Sequence, residues 1–361
     1  MLRRLHYTNF KTWPQVDLTF GKITGLFGTN SSGKTSILQF ILLLKQTKET
    51  TDRAISLDLN GTYVRLGVYR DMVYGHDETR PLAWGLIFNR DEALALLDPS
   101  EKRTKYLAQS KLVQIGGEIS AKDGAPKSTS LRYSVESKKG LMTFALKPRA
   151  SGDAAYELFS DGGDFRFVRT TGRPWQLPGP IKAYVFPDQE RTYFQNASFL
   201  SDLEAAFEEQ IDKIYYLGPL REDPQRDYLW ARSRPHDVGL RGEKAIDAIL
   251  AATVAGETRN LKRKAHRKSF QEMVAYWLSQ MGLIEAFKVE EIARGSNRWQ
   301  AKVTVRKGGT EALLTDVGFG VSQVLPVITL LYYVPEGSTV ILEQPEIHRK
   351  RCSSATCPRA A

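Results

Sequence analysis

The chain has 361 residues, of which 42% are hydrophobic and 25% are charged, so it can bury a sizeable core. Its formal charge of +10 favours contact with polyanions such as DNA or RNA, and it equally suits simple solubility. Both cysteines, Cys352 and Cys357, lie in the last ten residues, which argues against a disulfide scaffold and a four-ligand zinc site. No secretory leader or membrane-length apolar run occurs, so the sequence predicts a cytoplasmic protein without membrane contact.

The N-terminal residues predict a hairpin followed by a strand, a loop and a helix. Apolar and polar residues alternate over 2–10 and again over 16–20, as they do in half-buried strands. The short apolar run at 23–27 predicts a third strand that leads directly into a glycine-rich loop. Apolar residues at helical spacing follow over 36–47, and two later amphipathic stretches, 202–214 and 270–281, also predict helices.

Residues 28–35 read GTNSSGKT, a full match to the Walker A pattern in the sequence context that this pattern requires. The glycines permit backbone angles that other residues avoid, so successive N–H groups can point at phosphate oxygens. Lys34 is expected to neutralise the β- and γ-phosphates, and the Thr35 hydroxyl to bind Mg²⁺. The residues predicted to bind ATP in this loop are Gly28, Asn30, Ser31, Ser32, Gly33, Lys34, Thr35 and Ser36.

The segment STVILEQPEIH at 338–348 predicts a buried strand over 339–342 that ends in acidic residues, preceded by a helix over 324–332. Glu343 occupies the position of the Walker B carboxylate, which holds Mg²⁺ or its water. The next residue is Gln344, where most proteins with this motif carry the Glu that polarises the attacking water. An amide cannot accept a proton as a carboxylate does, so hydrolysis is expected to be slow unless Glu346 acts as the base. Gln344 and Glu346 are therefore the candidate catalytic residues.

The segment TDVGFGVSQVLP at 315–326 predicts a glycine-rich turn that leads into an apolar helix. Its N-terminus could bind a phosphate, or it could simply cap the helix. The candidate nucleotide-binding residues of this signature segment are Gly318, Gly320, Ser322 and Gln323.

These segments together resemble the heads of the ABC-type ATPases of the SMC, RecF and OLD-like group. The opening LHYTNFKTW resembles that group's first strand, and bacterial AAA-family members are similar also at YLGPLR, residues 216–221. The resemblance implies an α/β P-loop NTPase fold with a mixed sheet and a large α+β insertion. It divides the chain into head segments 1–50 and 311–348, an insertion over 51–310 and an aberrant basic tail over 349–361. Because the group continues after EIH with further strands, the tail RKRCSSATCPRAA suggests a C-terminal truncation or frameshift.

The same resemblance implies that two chains pair face to face on MgATP. Each nucleotide would be held between one chain's phosphate loop and the signature segment of its partner, so ATP would act as a conformational switch. The implied role is in DNA transactions or phage defence, with slow hydrolysis. An alternative function is that of a nucleotide-binding module that does not hydrolyse ATP and recruits a separate effector protein. Gln344, which cannot act as a base, is consistent with this alternative.

Other features of the chain leave further functions open or argue against them. The cluster RNLKRKAHRK at 259–268 could bind DNA or RNA, or be a solvated charged run. Tyr215, Tyr216, Arg221 and Arg226 fit a packed turn as well as a binding site and stay unassigned. No nuclease activity is expected, since the nuclease domain of OLD-like proteins has no room after residue 348. A transporter subunit is disfavoured by the long separation of phosphate loop and signature segment, and a small-molecule kinase by the signature segment itself.

Overall fold

The computed structural model describes residues 1–99, 105–149, 155–172, 176–261 and 266–345. The chain divides into two compact units, Met1–Ile214 and Tyr215–Ala361. Glu346, the tail 349–361 and residues 262–265 of the basic cluster lie outside the described residues. Within the described ranges, no helix has the length and apolar character needed to cross a lipid bilayer.

The first unit is built on a seven-stranded antiparallel sheet with the strand order β2-β1-β3-β4-β5-β6-β7. The strands are β1 (Leu2–Phe10), β2 (Trp13–Thr19), β3 (Leu82–Leu97), β4 (Tyr106–Lys122), β5 (Ala125–Ser137), β6 (Gly140–Pro148) and β7 (Tyr156–Asp161). The helices are α1 (Lys34–Glu49), α2 (Tyr69–Met72), α3 (Glu190–Tyr193) and α4 (Leu200–Asp212), with a short 3₁₀ helix at Tyr74–His76. Alternating burial along the strands gives this sheet one apolar face.

Aromatic side chains from the sheet and the helices form the centre of this core. Phe40 of α1 stacks on Tyr7 of β1 with ring centroids 4.9 Å apart, and it also contacts Trp84 of β3. Phe207 of α4 also packs against Trp84, with ring centroids 6.5 Å apart. Because these rings are almost fully buried, α1 is fixed on the sheet, and the phosphate loop at its N-terminus is fixed with it.

The second unit contains three helices that pack on one another and a small antiparallel sheet. Its helices are α5 (Ala245–Val254), α6 (Phe270–Gln280) and α7 (Gly320–Tyr333), with a 3₁₀ turn at Leu314–Asp316. Its strands are β9 (Tyr228–Leu229), β12 (Ala286–Glu291), β13 (Arg298–Thr304) and β14 (Glu311–Leu313), and a hairpin pairs β10 (Thr258–Asn260) with β11 (Arg267–Ser269). A separate pair joins β8 (Ile214–Leu217), which starts at the last residue of the first unit, to β15 (Thr339–Leu342).

Local sequence signals explain several of these elements. The predicted hairpin is formed by β1 and β2, and the predicted helices correspond to α1, α4, α6 and α7. Helix α6 begins at a capping box, in which Ser269 Oγ accepts from Glu272 N and Glu272 Oε2 accepts from Ser269 N. Strand β15 has the predicted bounds, and the fold is mixed α/β, as predicted. The seven-stranded sheet is antiparallel throughout, where a mixed sheet was expected.

The prediction of a third strand at residues 23–27 was wrong. In the described structure this segment forms no strand, and Ile23 and Phe27 are 95% and 94% exposed. A short apolar run becomes a buried strand only where neighbouring strands supply ladder hydrogen bonds and both faces are covered. The apolar run alone cannot provide those neighbours.

Candidate functional site

The phosphate loop of the first unit bends twice before it enters α1. Ser31 and Gly33 have φ angles of 61° and 85°, so the chain turns through the left-handed region twice before α1 begins at Lys34. Ser32 N donates to Thr29 O at 3.3 Å, and Ser36 N donates to Gly33 O at 3.1 Å. The loop therefore leads directly onto the positive end of a 16-residue helix, an arrangement that favours an anionic ligand.

Lys34 places its ammonium inside this loop. Its Nζ donates to Gly28 O at 2.8 Å, to Thr29 O at 2.6 Å and to Ser32 Oγ at 3.3 Å. The charge is thus held next to the loop backbone instead of extending into solvent. A localised cation beside a loop of this shape suits the neutralisation of phosphate oxygens. The other predicted ATP-binding residues, Asn30, Ser31, Ser32, Thr35 and Ser36, lie in the same loop and the first turn of α1.

In the second unit, the acidic strand end follows β15 immediately. Glu343 N donates to Leu217 O of β8 at 3.1 Å, which continues the strand pairing by one residue. The Tyr216 hydroxyl donates to Glu343 Oε1 at 2.7 Å. Burial, and next the hydrogen bond to Glu343, raises the pKa of Tyr216, so the phenol stays a neutral donor at ordinary pH. Pairing of β8 with β15 therefore orients the predicted Mg²⁺ ligand.

Arg221 lies against the same strand end. It is 7% exposed, and its Nη2 donates to the backbone oxygen of Glu343 at 3.3 Å. Within the described ranges its Nε and Nη1 have no hydrogen-bond partner. Burial lowers the pKa of Arg221, although the nearby Tyr216 and Glu343 oppose this change. The sequence left Tyr216 and Arg221 unassigned, and the only signal that could have pointed to them is the similarity at YLGPLR.

The predicted catalytic residue Gln344 is exposed and has a φ angle of 48°, so the chain turns sharply after Glu343. Its amide can orient water but cannot take a proton from it. Among the described residues, no group of three or more His, Cys, Asp or Glu side chains could hold a metal ion. Magnesium bound through a nucleotide does not need such a group, because one carboxylate, one hydroxyl and phosphate oxygens are its usual ligands. The half-buried, oriented carboxylate of Glu343 fits that donor set.

The signature segment forms the start of α7. Gly318 and Phe319 are exposed, and Gly320 is the first helical residue. Ser322 is buried, and its hydroxyl donates to Phe319 O at 2.9 Å within the first turn. Gln323 N also donates to Phe319 O, at 3.1 Å. Gly318 and Phe319 are therefore the exposed residues of this turn, and the assignment of the four signature residues to a nucleotide stays a prediction.

The described part of the basic cluster lies on the hairpin formed by β10 and β11. Arg259 donates to Glu257 Oε2 at 2.6 Å and lies over the ring of Phe270 at 5.5 Å. Arg267 and Lys268 on the opposite strand are exposed. At least one of the basic side chains is therefore part of the packing of the unit.

Comparison with known proteins places most of the chain in one protein family. A family model described as "AAA domain, putative AbiEii toxin, Type IV TA system" matches residues 23–348. No curated protein matches the chain. Among 22 matching chains of solved structures is one described by "ATP-driven dimerization and DNA stimulated activation of SMC ATPases". The two sequences are 17% identical, and the matched region covers 38% of this chain and 69% of the solved chain. The TM-score of 0.22 is too low for any structural conclusion.

The family model spans most of the chain, including the phosphate loop, the signature segment and Glu343. The P-loop NTPase fold class predicted from the sequence is thereby confirmed. The chain belongs to this family of AAA-domain ATPases.

Proposed function

We propose that the chain is an ATP-binding head that pairs with a second copy on MgATP and hydrolyses it slowly. The observation that carries this proposal is the phosphate loop, where Lys34 Nζ lies 2.8 Å from Gly28 O at the N-terminus of α1. Thr35 and Glu343 are the residues assigned to Mg²⁺. When bound, the ion supplies charge neutralisation to the phosphates.

The proposed role is that of a conformational switch in DNA transactions or phage defence. Its support is the order of Walker A, signature segment and Walker B along the chain, which resembles the SMC, RecF and OLD-like group. A ligand can drive such a switch only if it binds the paired state more tightly than the separate chains.

A second candidate is a nucleotide-gated module that does not turn ATP over and recruits a separate effector. Gln344 favours it, because the residue after the Walker B carboxylate cannot act as a general base. The basic residues of the β10–β11 hairpin are the proposed contact for DNA or RNA in either case.

The test is to measure MgATP binding, phosphate release and size-exclusion elution on the same preparations. Lys34→Ala is expected to weaken binding on the order of 100-fold, since loss of a buried or loop-held charge costs about 2–5 kcal/mol. The matched control is Lys22→Ala, which removes an exposed lysine from the same unit. Lys34-dependent turnover with earlier elution supports the switch ATPase. Tight binding and pairing without turnover supports the recruiting module, and equal binding by Lys34→Ala and wild type contradicts both.

A further inference from the structure

The turn of the β1–β2 hairpin contacts the phosphate loop through one side chain. Phe10 pairs with Trp13 in the hairpin register, so Lys11 and Thr12 form a two-residue turn. The Trp13 indole Nε1 donates to the backbone oxygen of Gly33 at 3.0 Å. A residue from the N-terminal hairpin therefore binds the last residue of the loop.

Gly33 permits this approach because it has no side chain. An ideal Cβ at this position would lie 2.5 Å from Thr12 Oγ1 and 2.7 Å from Trp13 Nε1. Its φ angle of 85° is also strained for any L residue with a side chain. Glycine is thus required here both for the bend of the loop and for contact with the hairpin turn.

The hairpin turn is itself firmly held. Lys11 N donates to Met72 O at 2.7 Å, and its Nζ donates to Asp71 O at 3.1 Å. Phe10 is fully buried and lies edge-on against Phe40 of α1, with ring centroids 5.2 Å apart. Trp13 consequently donates from a fixed position relative to α1.

A hydrogen bond to the Gly33 oxygen also sets the direction of the next N–H group. The peptide unit that joins Gly33 to Lys34 is planar, so its N–H points opposite to its carbonyl. Fixing the carbonyl on Trp13 therefore fixes the Lys34 N–H, which belongs to the run of N–H groups expected to bind phosphate oxygens. We propose that Trp13 is a positioning residue of the phosphate loop, which acts on the phosphate part of the nucleotide and not on its base.

This inference rests on the proposed ATP binding, so its test needs one readout without nucleotide. Trp13→Phe keeps an aromatic ring and removes the N–H donor. The matched control is Trp230→Phe, which removes an indole N–H that donates to Ser233 O at 3.0 Å in the second unit. Hydrogen exchange is followed at the Ser36 amide, which donates to the same Gly33 oxygen, and affinities are measured for MgATP and for magnesium tripolyphosphate.

Trp13→Phe is expected to speed exchange at Ser36 and to weaken both ligands by the same factor, roughly 3- to 10-fold, the effect of one lost hydrogen bond. Trp230→Phe is expected to leave the exchange at Ser36 and both affinities unchanged. Unchanged exchange at Ser36 would overturn the inference, as would unchanged affinities. A loss confined to ATP and absent for tripolyphosphate would overturn it too, because the ring would then act on the base. A wild-type protein that binds neither ligand refutes the proposed function, and exchange at Ser36 still decides whether Trp13 holds the loop.

Discussion

The phosphate loop of the first unit and the acidic strand end of the second are built in different ways. The loop is shaped mainly by its own backbone and by Lys34, whose Nζ reaches carbonyls only six and five positions away, and Trp13 adds one contact from 20 positions away. Glu343 is instead held by Tyr216 and Arg221, which precede it by 127 and 122 positions. The first site is therefore largely local in sequence, and the second is assembled by the pairing of β8 with β15.

This difference determines what a motif can predict about each site. A contiguous loop carries its geometry with its sequence, because glycine positions and the helix start are set within a few residues. A carboxylate at a strand end takes its orientation and surroundings from whatever packs beside it. Substitutions around Glu343 should therefore have effects that the Walker B pattern alone does not predict.

The largest effect is expected at Gln344. Gln344→Glu should raise ATP turnover about 100-fold, since a positioned general base typically contributes on the order of 10² to 10⁴ in rate. Both side chains carry the same backbone cost at a φ of 48°, so the fold should not change. Phosphate release is measured beside Gln225→Glu, which adds the same charge at an exposed position of the second unit.

Equal turnover in Gln344→Glu and wild type would contradict a water-orienting position for residue 344. Glu346 would then be the better candidate for the base, which Glu346→Gln tests with the same assay.

An intermediate effect is expected at Tyr216. Tyr216→Phe removes the phenol that orients Glu343, and loss of such a partner typically weakens metal binding about 10-fold or more. The Mg²⁺ concentration required for tight ATP binding should rise accordingly, with Mn²⁺ binding as a second measure. Tyr333→Phe is the control, because its hydroxyl donates to Pro235 O in the same unit without contacting Glu343. Identical Mg²⁺ dependence in Tyr216→Phe and wild type would show that Glu343 does not need this contact.

The smallest effect concerns protein stability and involves two largely buried carboxyl groups of the first unit, Glu190 and Glu204. Glu190 is 1% exposed, its Oε2 has no partner among the described residues, and Glu204 Oε1 accepts from Phe186 N at 2.7 Å. Burial, then the charge of Glu204, raises the pKa of Glu190 to about 9. Burial raises the pKa of Glu204 to about 7. The folded protein thus holds protons that the unfolded chain releases near pH 4.5.

The contribution of Glu190 to stability is therefore fully present below about pH 4.5 and is lost as pH rises through about 9. Glu190→Gln removes this pH dependence. The difference in free energy of unfolding, variant minus wild type, should therefore be larger at pH 9 than at pH 5 by at least about 1.4 kcal/mol. Chemical denaturation at both pH values measures it, with the exposed Glu118→Gln of β4 as control. Parallel pH profiles for Glu190→Gln and wild type would mean that Glu190 ionises freely in the folded protein.

The sequence by itself determined the phosphate loop, the β1–β2 hairpin and the bounds of β15. Each of these depends on signals within a few residues: the two glycines of GTNSSGKT, an alternation of period two, and a four-residue apolar run before a carboxylate. The same kind of apolar run at 23–27 does not form a strand in the described structure, since pairing depends on neighbours that the run does not contain.

Only the tertiary structure decided what surrounds Glu343 and which residue holds Gly33. In YLGPLR, the Tyr, Gly, Pro and Arg residues fit a packed turn as well as a site, until the pairing of β8 with β15 brings Tyr216 and Arg221 to the carboxylate. Trp13 likewise carries no sequence signal that links it to Gly33, 20 positions later. Contacts between distant residues depend on how the chain packs, and no local pattern of residues records them.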